Sequence, residues 1–189
     1  MKDKFIAEIE KISDEKLKST AYAAMNAAPA YFWEIPASTS GKYHPECDLG
    51  LGGLVRHSIM VSRIAVDLID MESEDSNYKA HITDIARFTG LFHDIIKCGY
   101  EPKNGNWYTV WEHPILAAEF LMPILQANNV DESDINLICS AIRTHMGRWT
   151  TSKYSNIKLT PPSSHFQMLI HTADYIASRK YIGGLEEWR

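Results

Sequence analysis

A chain of 189 residues, 45% hydrophobic and 23% charged, carries enough apolar side chain for one full core, and a single domain is expected. Its formal net charge of −5 argues against a general binder of nucleic-acid backbones, and it has no apolar run long enough to span a bilayer. Cys47, Cys98 and Cys139 are scattered and form neither a CxxC pair nor a disulfide framework, which suits a reducing compartment. The N-terminus, MKDKFIAEIEKISDEKLKS, is charged throughout and lacks the apolar stretch of a secretion signal, so a cytoplasmic location is expected.

Residues 3–26 read as one amphipathic helix, with Phe5, Ile9, Ile12, Leu17 and Ala21 near one face. Pro29 and Pro36 bound the aromatic segment 31-YFW-33, and 38-STSGKYHPECDLGLGG-53 reads as an ordered, glycine-rich loop. Helical periodicity then runs over 54–72, and the polar segment 73-SEDSNYK-79 separates it from a helix over about 82–97. A loop at 99–107 leads to helices at 112–128 and 131–146, and 147–164 is a long connection irregular around Pro161 and Pro162. A last helix is expected over 163–181, ended by Gly183-Gly184. No repeat and no βαβ rhythm is present, so the fold class is all-α.

The stretch 90-GLFHDIIKCGY-100 sets His93 and Asp94 inside an apolar run. His57 in LVRHSIMV, His113 in VWEHPILAAEF, His145 in AIRTHMGRW and Asp174 in MLIHTADYIASR also interrupt or border apolar helical stretches. Taken singly, each could be a core or capping residue satisfied by a hydrogen bond. Five such places on separate helices would each need a partner, whereas one shared cluster satisfies all of them. Nitrogen and carboxylate ligands without a cysteine cluster suit Mn, Fe, Zn, Mg, Co or Ni. Six ligands exceed the needs of one ion with open positions and fit two divalent ions, with His93 on one and Asp94 bridging both. Lys97 follows Asp94 by three positions and can meet either that carboxylate or a substrate phosphate; a solvent-facing lysine fits the periodicity equally.

The ordered set His57, His93-Asp94, His113, His145, Asp174 resembles the HD-domain metal-dependent phosphohydrolase superfamily in its six-ligand, dinuclear form. HDIIK at 93–97 resembles the HDIGK-type motif, with Ile96 in place of the common glycine. The resemblance covers roughly 40–180, leaving 1–28 as an N-terminal helical extension within one domain spanning 1–189. Within the superfamily the chain is similar to the HD portion of bacterial 3′-to-5′ exoribonucleases. The string 36-PASTSGKYHPECDLGLGGLVRHS-58 resembles their proline-alanine element and GGLLEHS, 144-THMG-147 their SHHG, and 165-HFQMLIHTAD-174 their LHxAD helix. Arg56, Met146 and His165 depart from that pattern, and no OB domain fits before residue 40. These departures and the net charge argue against processive RNA degradation.

The resemblance implies a bundle of helices with ordered loops around a site of two divalent ions, manganese or iron first, with Mg, Co, Ni or Zn also compatible. It implies a phosphodiesterase or phosphomonoesterase acting through metal-bound hydroxide on a small nucleotide or short single-stranded oligonucleotide. No membrane and no stable long nucleic-acid partner is expected. Asp94 and Lys97 are the expected catalytic residues. His44, Lys42 and Arg148 are expected at the substrate, Arg148 through a bidentate fork, and His171 is expected to support a ligand residue. Each of these also has a plain alternative in loop packing or solvated surface. Arg179, five residues after Asp174, can approach the site, but a helix-end charge favouring the dipole explains it without function. The loop aromatics Tyr43, Trp107, Tyr108, Trp111, Trp149 and Tyr154 can stack a base or close the rim of the core. Two other readings remain open: a di-iron HD-like oxygenase cleaving C–C or C–P bonds, and a non-catalytic nucleotide-binding sensor.

Overall fold

The structure, a computed structural model, describes residues 1–72 and 76–183. It is all-α as expected: α1 Lys2–Ile9, α2 Glu15–Ala27, α3 Gly53–Glu72, α4 Ser76–Phe92, α5 His113–Ala127, α6 Glu132–Thr144, α7 His165–Ala177 and the short α8 Lys180–Gly183. Among the described residues extended pairing is limited to two isolated bridges, Lys103 with Asn106 and Ser152 with Ser155, inside the two irregular connections. Of the expected polar segment 73–79, residues 73–75 lie outside the described residues, and α4 has already begun at Ser76. Gly184 of the expected terminal stop also lies outside them.

The single helix expected over 3–26 is two helices. Asp14 caps α2 by accepting from Leu17 N at 2.7 Å, and the buried carboxylate of Asp84 on α4 accepts from Ser13 N at 3.0 Å and Asp14 N at 2.8 Å. Side-chain acceptors for those backbone N–H groups replace the helical carbonyls that would have carried the helix through, so the chain turns at 10–14. The helix expected over 163–181 is likewise divided. Ser164 and Gln167 form a reciprocal capping box at the start of α7, and the helix ends at Ala177, three residues before α8.

The helices α3 and α4 form the central pair; α5 packs on α6, and α7 packs on both α3 and α6. The helices α3 and α4 approach closely at Gly90, where a Cβ would lie only 2.5 Å from Ser62 Cα. Leu91, Phe92, Ile95 and Ile96 are fully buried, so the apolar part of the HDIIK region is core, and Ile96 takes its place there rather than in the site. Phe92 meets Phe5 of α1 edge-to-face, with centroids 5.4 Å apart, and Phe5 meets Phe32 at 5.8 Å. Both N-terminal helices thus share the core with α3 and α4. Beside Phe5, the fully buried Glu8 binds Lys11 Nζ at 3.0 Å, Arg63 Nε at 2.8 Å and Arg87 Nη1 at 3.1 Å, tying α1 to α3 and α4.

Candidate metal centre

The helix expected over 82–97 stops at Phe92, and this correction explains how His93 and Asp94 can serve one place. After Phe92 the chain runs through tight turns, with Ile95 N bonding Phe92 O at 3.1 Å, Lys97 N bonding Asp94 O at 3.0 Å and Gly99 N bonding Ile96 O at 3.1 Å. Neighbouring side chains there escape the fixed angular divergence of an α-helix. His113 opens α5 and His145 caps α6, so four of the six expected ligand residues stand at helix ends. His57 in the second turn of α3 and Asp174 in α7 complete the set.

The structure brings all six together. Asp94 Oδ2 lies 3.4 Å from His93 Nε2 and 3.9 Å from His57 Nε2, while Asp94 Oδ1 lies 3.2 Å from His113 Nε2 and 3.7 Å from His145 Nε2. Asp174 Oδ1 lies 3.0 Å from His57 Nε2 and 3.8 Å from His93 Nε2, on the Oδ2 side. The two oxygens of one carboxylate therefore face two different pairs of imidazoles. Among the described residues, four groups of three that could hold an ion, one of them His44, Asp48 and His57, overlap at His57, His93, Asp94 and His145.

Local backbone sets the tautomers. Nδ1 of His93, His113 and His145 lies 2.8, 2.7 and 2.8 Å from the carbonyl oxygen three residues earlier, those of Gly90, Val110 and Ile142. A carbonyl can only accept, so each Nδ1 carries its proton and each Nε2 presents a lone pair to the cluster. His57, deep in a helix, has no such carbonyl; its Nδ1 faces the buried carboxylate of Asp48 at 4.0 Å. His57 Nε2, His93 Nε2 and Asp94 Oδ1 are sealed from solvent without a hydrogen-bond partner. Converging lone pairs without donors fit a divalent cation, which would satisfy all of them at once.

Charge follows the same pattern. Burial pushes the Asp94 carboxyl upward, but the adjacent Lys97 ammonium, foremost among its neighbours, holds it well below the usual carboxylate range. Burial likewise opposes ionisation of Asp174, and His57 and His93 overcome it. Burial, reinforced by His93, pushes His145 down to about 3, so its imidazole is neutral at physiological pH. Burial also lowers His93, but Asp94 more than reverses this and raises it.

A cavity of about 380 Å³ opens onto the cluster, lined by Asp94, His113, His145 and Asp174. Lys97 sits at its base with Nζ hydrogen-bonded to Asp94 Oδ2. His44 lines it as well, buried and with an unpartnered Nδ1, and burial beside His57 pushes it down to about 3. His171 lines it too and reaches His145 through backbone: its Nδ1 bonds His145 O at 2.7 Å, and Gly147, at φ +63°, leaves the space its ring fills. Lys42 and Arg148 are exposed outside the cavity lining, their cations 5.4 Å from Tyr43 and 5.0 Å from Trp149. Of the loop aromatics Tyr43, Trp111 and Trp149 reach the lining and Trp107, Tyr108 and Tyr154 do not.

Three features were not legible in the sequence. Asp48 is buried behind His57, although nothing in its loop signals burial. Arg56, in place of the resembled glutamate, clamps that loop by donating to Leu51 O at 2.9 Å and Leu49 O at 3.2 Å. Tyr175 stacks on Trp149, 17° from parallel, at the cavity mouth.

Fold and site together define an all-helical protein whose clustered histidines and aspartates form a metal-binding site. The HD domain family model matches residues 54–179, two thirds of the chain, and spans all six residues of the cluster. The protein belongs to the HD domain family. Searches of curated proteins and of solved structures return no match. The family match carries the resemblance to the level of the HD superfamily and not to the exoribonuclease group.

Proposed function

We propose that the protein is a metal-dependent phosphohydrolase, a phosphodiesterase or phosphomonoesterase acting on a nucleotide or short oligonucleotide. The observation that carries this reading is the division of Asp94, whose Oδ1 faces His113 and His145 while Oδ2 faces His93 and His57. His57, His93, Asp94 and Asp174 would hold one ion, and Asp94, His113 and His145 the other, with manganese or iron preferred. Two divalent ions bound there supply Lewis acidity, an activated water and charge to stabilise the phosphoryl oxygens.

The chain's own residues do the rest. Lys97 Nζ, held on Asp94, offers its remaining protons to a phosphoryl oxygen entering the cavity. Neutral His44, which lines the same cavity, anchors the leaving side of the ester. Lys42 and Arg148, outside the lining, add to the cationic field that draws an anion inward. The three carbonyl-fixed imidazoles keep their lone pairs aimed without reorganisation during turnover. The volume of about 380 Å³ lies at the small end for ligand sites and favours a mononucleotide-sized group over a long strand.

The test is hydrolysis of cyclic, linear and mononucleotide substrates by protein loaded with Mn²⁺, alongside anomalous scattering at the cluster. Activity lost on chelation and restored by the ion is expected. No turnover across that panel at full occupancy would rule the reading out. Oxygen consumption on a polyol or phosphonate with iron bound would select the oxygenase alternative, and tight nucleotide binding without turnover the sensor.

A further inference from the structure

The cavity mouth carries an arrangement that the metal centre does not need. The guanidinium carbon of Arg179 lies 4.1 Å from the Tyr175 ring centroid, and Tyr175 stacks on Trp149 with centroids 5.8 Å apart. All three line the same cavity as Asp94 and Asp174. Arg179 Nε donates to Tyr175 O at 3.1 Å and Nη2 to Ser178 Oγ at 2.8 Å. No carboxylate of the described residues pairs with it, and its Nη1 makes no hydrogen bond to them. A basic residue serving only the dipole of α7 would need one contact with the last turn. Here the guanidinium is fixed in plane and position by a ring and two acceptors, so the entropy of ordering it is spent before any ligand arrives.

Charge balance supplies the second half. Among the cavity-lining residues the carboxylates Asp94 and Asp174 face the cations Lys97 and Arg179. Two divalent ions added to that balance leave the cavity strongly cationic, more than one phosphoryl group neutralises. Asp174 lies within α7, whereas Arg179 lies past the end of that helix at Ala177, held against Tyr175. Lys97 is held on Asp94 and Arg179 on Tyr175, so the two cations of the lining have separate anchors.

We propose that Arg179, presented by the Tyr175–Trp149 stack, recognises a second anionic group on the substrate, distinct from the phosphoryl group at the metal centre. Resting on the phosphohydrolase reading, this narrows the substrate class to small phosphoesters with two separated anionic groups, of which a nucleoside bisphosphate is the simplest form.

Calorimetric titration of Mn²⁺-loaded protein with adenosine 3′,5′-bisphosphate and with adenosine 5′-monophosphate tests it, the two probes differing by one phosphate. The wild-type protein is expected to prefer the bisphosphate at least tenfold, and Arg179→Gln to bring the ratio of affinities close to one. Arg179→Lys, which keeps the charge and loses the fork, should fall between. A ratio taken within one sample is insensitive to partial unfolding. Should Arg179→Gln fail to fold, Tyr175→Leu, which removes the ring pinning the guanidinium, carries the same expectation. A wild-type ratio near one, or a ratio unchanged in the variant, overturns the proposal. Binding with the expected ratio but no turnover would sink the phosphohydrolase reading and leave this one standing; turnover without the ratio would do the reverse.

Discussion

Glu8 and Asp94 are both carboxylates sealed in the core, and they are neutralised in opposite ways. Glu8 is ringed by donors: Lys11 Nζ, the Arg63 guanidinium and Arg87 Nη1 all point protons at it. Asp94 meets one donor of that kind, Lys97, and otherwise faces four imidazole nitrogens, three of them on rings whose protons are held on the far side by backbone carbonyls. The first arrangement is complete without any ligand and fastens α1 to the bundle. The second is a set of electron pairs directed at each other, which is stable only when something positive lies between them. Burial and charge are alike in the two places; the direction of the protons separates a brace from a binding site.

The sharpest way to break the comparison is Asp94→Ala. It should abolish two-metal occupancy and lower hydrolysis at least a thousandfold, about 4 kcal/mol of transition-state stabilisation. Metal content and turnover measured on the same sample check this, and full metal content with retained activity would sink the bridging role. Next is removal of the ions by a chelator. At a thousandfold excess of ion over Kd, binding stabilises the fold by about 4 kcal/mol, so the thermal midpoint should drop on chelation and return with added Mn²⁺. A midpoint indifferent to metal would mean the cluster holds none.

Glu8→Ala should do the converse. Arg87, itself buried, loses its carboxylate, and urea unfolding should register a loss of about 3 kcal/mol while metal content per folded molecule stays the same. A variant that loses metal in proportion to stability would show that the two clusters are not independent. The smallest effect is on pH. Burial pushes the Glu8 carboxyl up, but hydrogen bonds from Arg63 and Lys11 prevail and hold it below its ordinary value. A lowered folded-state value gives stability that is present above the unfolded value of about 4.3 and lost as pH falls through the folded one. The acid limb of the stability profile should therefore flatten in Glu8→Gln, and a limb of unchanged slope would assign acid unfolding to other carboxylates.

The sequence announced the cluster because its members are polar at apolar addresses. His57, His93, Asp94, His113, His145 and Asp174 interrupt helical stretches, and a polar residue in such a run demands a partner. The all-α fold was legible for the same reason, through apolar periodicity. Boundaries were less so, because tertiary acceptors decide them: Asp84 ends the first helical run from 71 residues away. Asp48 and the Arg56 clamp stayed hidden because a loop has no period against which burial can be read. Tyr175 was hidden differently. Its partner Trp149 lies 26 positions earlier, and only the docking of α7 against the end of α6 brings the rings together.

Gly90 bears on more than packing. It fixes how closely α3 and α4 approach, its carbonyl holds the proton of His93, and its neighbour across the gap is the helix that carries His57. The spacing between two residues expected to share an ion is therefore gauged by a side chain that does not exist. A single methyl at position 90 would act as a shim between the helices, widening the distance from His57 to His93 while leaving the identity of every residue in the cluster unchanged. The spacing within the cluster is thus set from a position that is not one of its members.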